Sequence, residues 1–291
     1  MQPTPTERRN VLVLASSQSL FTITTITVMT LASVIGLELS PDPDLATLPI
    51  ALMMLATVFT TLPASLLMKR IGRRNGFMLG TLSGLIGSAL MLLGTAQTSF
   101  FYFCAGMFMI GLYQSFAMYY RFAAADVARA EFRSRAVSYV MAGGVISAIV
   151  GPLNARFALD WLPAIPMGGP FLVTTILAVA ATILLLTLRI PAHPPGEPIA
   201  GNNTSRPLAV IARDVRFLPA VVGSSVCFSL MALYMTVTPL GMQEQGFGMA
   251  SIIPVVQSQV LAMFIPAFFT GTLIARFGLR PVLWCGVGLL S

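Results

Sequence analysis

The sequence predicts an all-α polytopic membrane protein, a two-half helical bundle with eight complete spans and the start of a ninth. Three observations predict it. Hydrophobic residues make up 56% of the chain and charged residues only 9%, with a mean hydropathy of +0.84, which leaves too little polar surface for a water-soluble fold. The apolar residues fall in uncharged runs long enough to cross a bilayer. A charged hairpin occurs twice, as Lys69, Arg70, Ile71, Gly72, Arg73, Arg74 and as Ala275, Arg276, Phe277, Gly278, Leu279, Arg280. A repeat built around paired spans is how many secondary transporters are assembled.

The first span is Asn10–Leu37. Arg8 and Arg9 precede it as in a secretory signal, but the run is too long and no small-residue cleavage site follows, so it reads as a retained span. The second, Leu45–Met68, ends in the first hairpin. The uncharged run Asn75–Tyr120 is long enough for two crossings of about 20 residues each, and divides at Gly94, Thr95, Ala96, Gln97, Thr98 and Ser99 into a third and a fourth. The fifth is Ala136–Ala155 and the sixth Trp161–Leu188. A stretch rich in Pro, Gly, Asn and Ser from Pro191 to Pro207 follows, carrying the one histidine, His193, and has the composition of a flexible linker. The expected division is therefore a six-helix half over 1–188, a cytoplasmic linker over 189–216 and an incomplete second half over 217–291. Phe217–Gln243 and Gln245–Ala275 are the seventh and eighth spans. The apolar segment Pro281–Ser291 is roughly half a crossing, so a ninth span begins there and the chain reads as part of a longer protein of about twelve spans.

Alternate threading puts 16 of the 17 Lys and Arg residues on one side, with Arg156 alone on the other, where Asp160 is its expected partner. Cytoplasmic loops retain Lys and Arg, so the N-terminus is expected in the cytoplasm of a multi-pass protein, with a bacterial inner membrane as the expected location. The net charge of +7 has the same origin, contact with an anionic leaflet, and implies no nucleic-acid partner. Cys104, Cys227 and Cys285 lie in apolar runs without ligand spacing, so no metal or other cofactor is expected.

The hairpin resembles a signature of the major facilitator superfamily (MFS), in which Gly, x, Leu, x, Asp, Arg, x, Gly, Arg, Arg joins the second and third spans and recurs, weaker, between the eighth and ninth. The first copy supplies Ser65, Leu67, Lys69, Arg70, Gly72, Arg73 and Arg74; the second supplies Gly271, Leu273, Ala275, Arg276, Gly278 and Arg280. Gly72 and Gly278 are expected to allow two backbones to approach at a tight turn. The arginines can reach helix C-terminal carbonyls, an acidic neighbour or lipid phosphates. The resemblance implies a conformational latch here, weakened or differently built because Lys69 and Ala275 replace the family's acid; positive-inside anchoring alone is the other reading of Arg70, Arg73 and Arg74. In the fifth span, Gly143, Gly144, Gly151 and Pro152 form an expected helix-bend motif. It resembles, with Ser147 and Ala155 in place of glycines, a pattern of the family's antiporters, and so favours export slightly over import. Met107 stands where the family's drug and proton antiporters often carry arginine, which weakens that reading.

Polar residues inside spans are costly unless they face a cavity or a partner. Gln18, Thr22 and Thr25 share one helical face by spacing, as do Gln114, Met118 and Arg121. The resemblance implies that the first, fourth and seventh spans line a central cavity, which adds Ser225 and Ser229; Gln257 and Gln259 lie in the eighth. Helix-to-helix hydrogen bonding is the alternative role for each, and for Arg121 it is snorkelling to the cytoplasmic surface. No Asp or Glu falls within the eight spans. A coupling proton therefore needs an acid at an interface or in later spans, or does not take part.

The expected function is secondary active transport of an unidentified small molecule by alternating access, with the lipid bilayer as the other partner. A non-transporting receptor or lipid-binding scaffold is the alternative, and it would lack polar cavity stripes. An enzyme would need a cluster of His, Asp, Glu or Cys at catalytic depth, which the sequence does not offer.

Overall fold

The computed structural model describes residues 4–188 and 217–278, with 281, 282, 285, 286 and 288. The linker 189–216, His193, Leu279 and Arg280 lie outside the described residues. Within them every regular element is helical: α1 Pro5–Leu39, a 3-10 turn Pro43–Leu45, α2 Leu48–Ile71, α3 Arg73–Ala96, α4 Phe100–Ala117, α5 Tyr120–Val127, α6 Ala130–Phe157, α7 Gly169–Leu186, α8 Phe217–Glu244 and α9 Met249–Phe277. Seven helical segments are long and apolar enough to cross a membrane, and α9 adds a shorter apolar stretch, Met249–Ala262. The chain is an integral, multi-pass membrane protein.

Two elements depart from the sequence expectation. The sixth span starts at Gly169 rather than Trp161, because the segment before it is folded into successive turns. Trp161 N–H donates to Ala158 O (3.2 Å), Ile165 N–H to Leu162 O (2.9 Å) and Gly168 N–H to Ile165 O (3.0 Å), with Pro163 and Pro166 unable to donate in a helix there. The fourth span is broken near its charged end. The Tyr119 N–H donates three residues back to Phe116 O (3.1 Å), and its hydroxyl donates to Thr61 O of α2 (3.0 Å), so α4 closes in a tight turn and α5 restarts at Tyr120.

Without water to drive apolar surfaces together, helices in a membrane associate through close packing and interhelical hydrogen bonds, both favoured by small residues. The contacts of α1 with α6 and of α2 with α4 have this character. A Cβ on Gly143 would lie 2.4 Å from Ser19 Oγ, and one on Gly111 would lie 2.3 Å from Met53 O. Thr27 Oγ1 donates to Gly151 O (3.1 Å) and accepts from Asn154 Nδ2 (3.1 Å). Ser147 Oγ donates to Ser19 O (2.9 Å). On the other side, Thr57 Oγ1 donates to Gly111 O (3.2 Å) and Ser115 Oγ to Thr57 O (3.2 Å). Helices α3 and α7 pack behind α4 and α1, while α8 lies along α1 and α9 along α6.

Two apolar clusters fill the bundle. One, nearer Leu39, joins Ile26 to Ile35 of α1 with Met53, Phe103, Met107 and Phe171, and reaches Met235 of α8 and Ile252 and Val256 of α9. The other, nearer Arg8, joins Leu14 and Phe21 with Phe77, Tyr113, Tyr120 and Leu185.

Candidate functional site

One aromatic contact sets the polar stripe of α1 and Gln114 of α4 at a similar depth. The rings of Phe21 and Tyr113 meet edge to face with centroids 4.9 Å apart. Gln18 lies three residues from Phe21, about 4.5 Å along the helix axis, and Gln114 directly follows Tyr113. Gln18, Thr22, Thr25 and Gln114 are all half-buried. Gln18 Nε2 donates to Thr22 Oγ1 (3.1 Å), and Thr22 Oγ1 donates to Gln18 O (2.8 Å). Thr25 is satisfied by Phe21 O (3.1 Å). The Gln114 side-chain oxygen Oε1 is buried and has no partner among the described residues, and a buried amide acceptor in that state favours a donor supplied from outside the chain.

The remaining cavity candidates are dispersed. Ser225 and Ser229 are exposed on α8, and Gln257 is half-buried on α9; Gln259 Oε1 is buried and unpartnered beside it. Arg121 follows the turn at Met118–Tyr119 that separates α4 from α5, and Met118 is exposed as it is. It is exposed, with its guanidinium 5.0 Å over the Phe122 ring. Arg156 lies over Phe157 at 5.7 Å, and the ion pairs among the described residues, Arg73 with Asp126 and Arg129 with Glu7, leave Asp160 out.

The first hairpin holds three elements together. Arg73 pairs with Asp126 at the end of α5, and Arg74 Nη2 donates to Leu186 O at the C-terminus of α7 (2.7 Å), where the helix dipole favours a cation. Lys69 and Arg70 are exposed. At the start of α1, Thr4 and Glu7 form a reciprocal capping box. The Glu7 carboxylate also accepts the Arg129 backbone N–H (3.2 Å), with the Arg129 guanidinium at 3.4 Å, so that α1 is tied to the α5–α6 connection. The glycines serve a different end from the one expected. Gly72 has φ +87° and Gly278 φ +83°, and a Cβ on either would meet nothing within 4 Å. The constraint is left-handed backbone conformation, with no close approach. Close approach belongs instead to Gly143 and Gly151 of α6, which fit against Ser19 and Ile26 of α1. Gly144 is buried beside Gly143, and α6 runs on through Pro152 without interruption. Arg276 is exposed and stacks on Phe277 at 5.5 Å.

The sequence does not mark Asp126 and Glu7 as the ion-pair partners of Arg73 and Arg129; the available signal is an isolated acid among cations at each position.

Residues 13–291 match the Major Facilitator Superfamily. The chain belongs to this family. A riboflavin transporter of Brucella anthropi, RfnT, is 38% identical over 284 residues, which is 98% of this chain and 71% of the relative. Two uncharacterized MFS-type transporters of Bacillus subtilis, YdeG and YddS, are each 24% identical over 86% of this chain, which spans 61% and 60% of their lengths. Family and relatives together support transmembrane transport of a small molecule, and they indicate a transporter rather than an enzyme.

Proposed function

We propose that the chain forms part of a secondary transporter that moves a small molecule by alternating access, with a heterocyclic substrate of the riboflavin class. The observation that carries this reading is the buried Gln114 Oε1, without a partner among the described residues, in a chain 38% identical to a riboflavin transporter; the polar stripe of Gln18 and Thr22 on α1 supports it. Amide side chains on two facing helices suit a ring that carries both N–H donors and carbonyl acceptors, such as the imide edge of a flavin. Residues 1–188 would be one rocking half and 217–291 part of the other, joined by the linker 189–216. The salt-bridged Arg73, with Lys69, Arg70, Gly72 and Arg74, would latch the cytoplasmic end, and Arg276, Gly278 and Arg280 would do the same in the second half. The cation distribution supports a cytoplasmic N-terminus, and the glycines and Pro152 of α6 support export. A coupling proton would have to be taken by an acid outside the apolar spans.

The test is uptake and efflux of labelled riboflavin in cells that lack other riboflavin carriers, comparing the intact gene product with Gln114→Ala. Loss of one directional hydrogen bond of about 1 kcal/mol should weaken apparent affinity about fivefold at unchanged protein abundance. No riboflavin flux in either direction would overturn the substrate class, and disappearance of the variant from the membrane would make Gln114 a packing residue. Single cysteines at Asn75 and Gln97 should be labelled from the cytoplasmic and the outer side, respectively; the reverse result would overturn the orientation.

A further inference from the structure

Helix α8 is packed at one end only. Met231, Met235 and Met242 join the apolar cluster built on Ile26 to Ile35 of α1, at the end of the bundle nearer Leu39. The same helical face continues the other way from Met231 as Phe228, Ser224 and Phe217, at successive spacings of three, four and seven residues. Phe228 is 49% exposed and Phe217 41%, and every described side chain from Phe217 to Ser229 is exposed. Phenylalanine is a large hydrophobic side chain that dominates packed interfaces, so this part of the stripe does not stay bare for want of apolar surface. The difference is one of direction: α8 leaves the bundle as it runs toward Phe217.

Helices α1 and α9 show the same asymmetry. Every residue of α1 from Ile26 to Gly36 is buried, whereas toward Arg8 the helix exposes Leu12 and Ser16 and leaves Gln18, Ser19, Leu20 and Thr22 half-buried. On α9, Ile252, Ile253, Val256 and Val260 are buried near the Met249 end, and Phe277 at the far end is 58% exposed. We propose that Met231, Met235 and Met242 form an outer gate, closed in this structure, and that Phe217, Ser224 and Phe228 are its counterpart on the cytoplasmic side, covered only when the gate parts. The inference rests on the alternating-access reading and the cytoplasmic position of Arg8 given above, and not on the substrate. Methionine suits a contact that is broken and remade, because its unbranched side chain turns about three bonds and repacks against a surface that shifts. Gln18 and Thr22 lie on the open side of this gate, so a substrate held there is reached from the cytoplasm.

The test uses the intact gene product in sealed vesicles of known orientation, with Cys104, Cys227 and Cys285 replaced by alanine and with Ser224→Cys, Met235→Cys or Met242→Cys added singly. An impermeant maleimide should label Ser224→Cys from the cytoplasmic side. It should label Met235→Cys and Met242→Cys about tenfold more slowly, or slower still, from either side, the factor that a gate closed by about 1.4 kcal/mol already sets. Adding Met235→Glu puts a carboxylate into the apolar seam and should part it. Labelling of Met242→Cys from outside then rises while labelling of Ser224→Cys from the cytoplasm falls, and Met235→Leu changes neither. Equal labelling along the stripe overturns the gate. So does a rise at Met242→Cys without the fall at Ser224→Cys, because fraying at one end is not a coupled motion. If Met235→Glu does not reach the membrane, the wild-type protein decides: hydrogen peroxide should oxidise Met235 more slowly than Met118, which is 41% exposed, and equal rates overturn the gate. Labelling needs no substrate, so a failure to carry riboflavin would leave the gate standing, and uniform labelling would leave the substrate class untouched.

Discussion

Helices α1 and α8 are similarly apolar and both exceed span length, yet 78% of the apolar stretch of α1 is buried against other helices and only 6% of that of α8. The difference follows the number of helices around each: α1 packs against α2, α4, α5, α6, α7 and α8, whereas α8 packs chiefly against α1 and α9. Helix α1 carries Ser17, Thr24, Thr27, Thr30 and Ser33, all buried, and several of its contacts are hydrogen bonds to α6. Helix α8 joins the larger apolar cluster through Met231, Met235 and Met242, while Gly223 and Gly241 have nothing within 4 Å of where a Cβ would sit. Apolarity places a segment in the bilayer, while small and hydroxylated residues, which α8 carries too at Gly223, Ser225 and Ser229, allow close packing only where another helix lies against them.

The sharpest test of this contrast adds the same side chain to both regions. Gly111→Val should be severely destabilising, because its Cβ would meet the backbone oxygen of Met53 and the methyl of Ala56, and backbone cannot give way as a flexible side chain can. Overpacking of this kind costs about 1–3 kcal/mol or more. Gly223→Val should leave the melting temperature unchanged. Equal effects in a thermal-shift assay would show that α8 is packed as tightly as α4.

A smaller effect is expected from polar deletions. Thr27→Val removes the donor to Gly151 O and the acceptor for Asn154 Nδ2, and should cost about 1–2 kcal/mol, near the upper end of intramembrane hydrogen bonds. Ser225→Ala on α8 should stay within about 0.5 kcal/mol of wild type. Chemical or thermal unfolding in the same detergent would separate the two, and a neutral Thr27→Val would break the argument that α1 is held by hydrogen bonds.

The smallest stability effect belongs to the hairpins. Arg73→Gln breaks the pair with Asp126, but both side chains are about one-third exposed, so the loss should be about 0.5–1 kcal/mol and should shrink as salt rises. Arg276→Gln removes only a stack on Phe277 and should cost less. Melting temperatures at low and high salt check this; a larger effect at Arg276 would place the stronger contact in the second hairpin.

The spans were legible from the sequence because hydrocarbon imposes a length and a polarity that no tertiary context overrides, and the split at Gly94 to Ser99 matches the gap between α3 and α4. The start of α7 was not, since an uncharged run does not distinguish a helix from the turns at Trp161–Gly168. The break at Met118–Tyr119 carries no Gly or Pro to announce it, and it rests on Tyr119 reaching Thr61 of another helix.

The same division runs through the candidate site. A glutamine inside an apolar run marks Gln114 by its cost alone, and the repeated hairpin marks Gly72 and Gly278, so the sequence by itself determined membrane residence, the hairpin family and the residues whose presence there needs a reason. Only the tertiary structure decided which polar groups find partners. Thr22 and Thr25 are satisfied within their own helix, Thr27 across to α6 and Arg73 by Asp126, while Gln114 Oε1 has no partner among the described residues. Partnering depends on distances of about 3 Å between residues tens of positions apart, and the residue spacing within one helix contains no information on them.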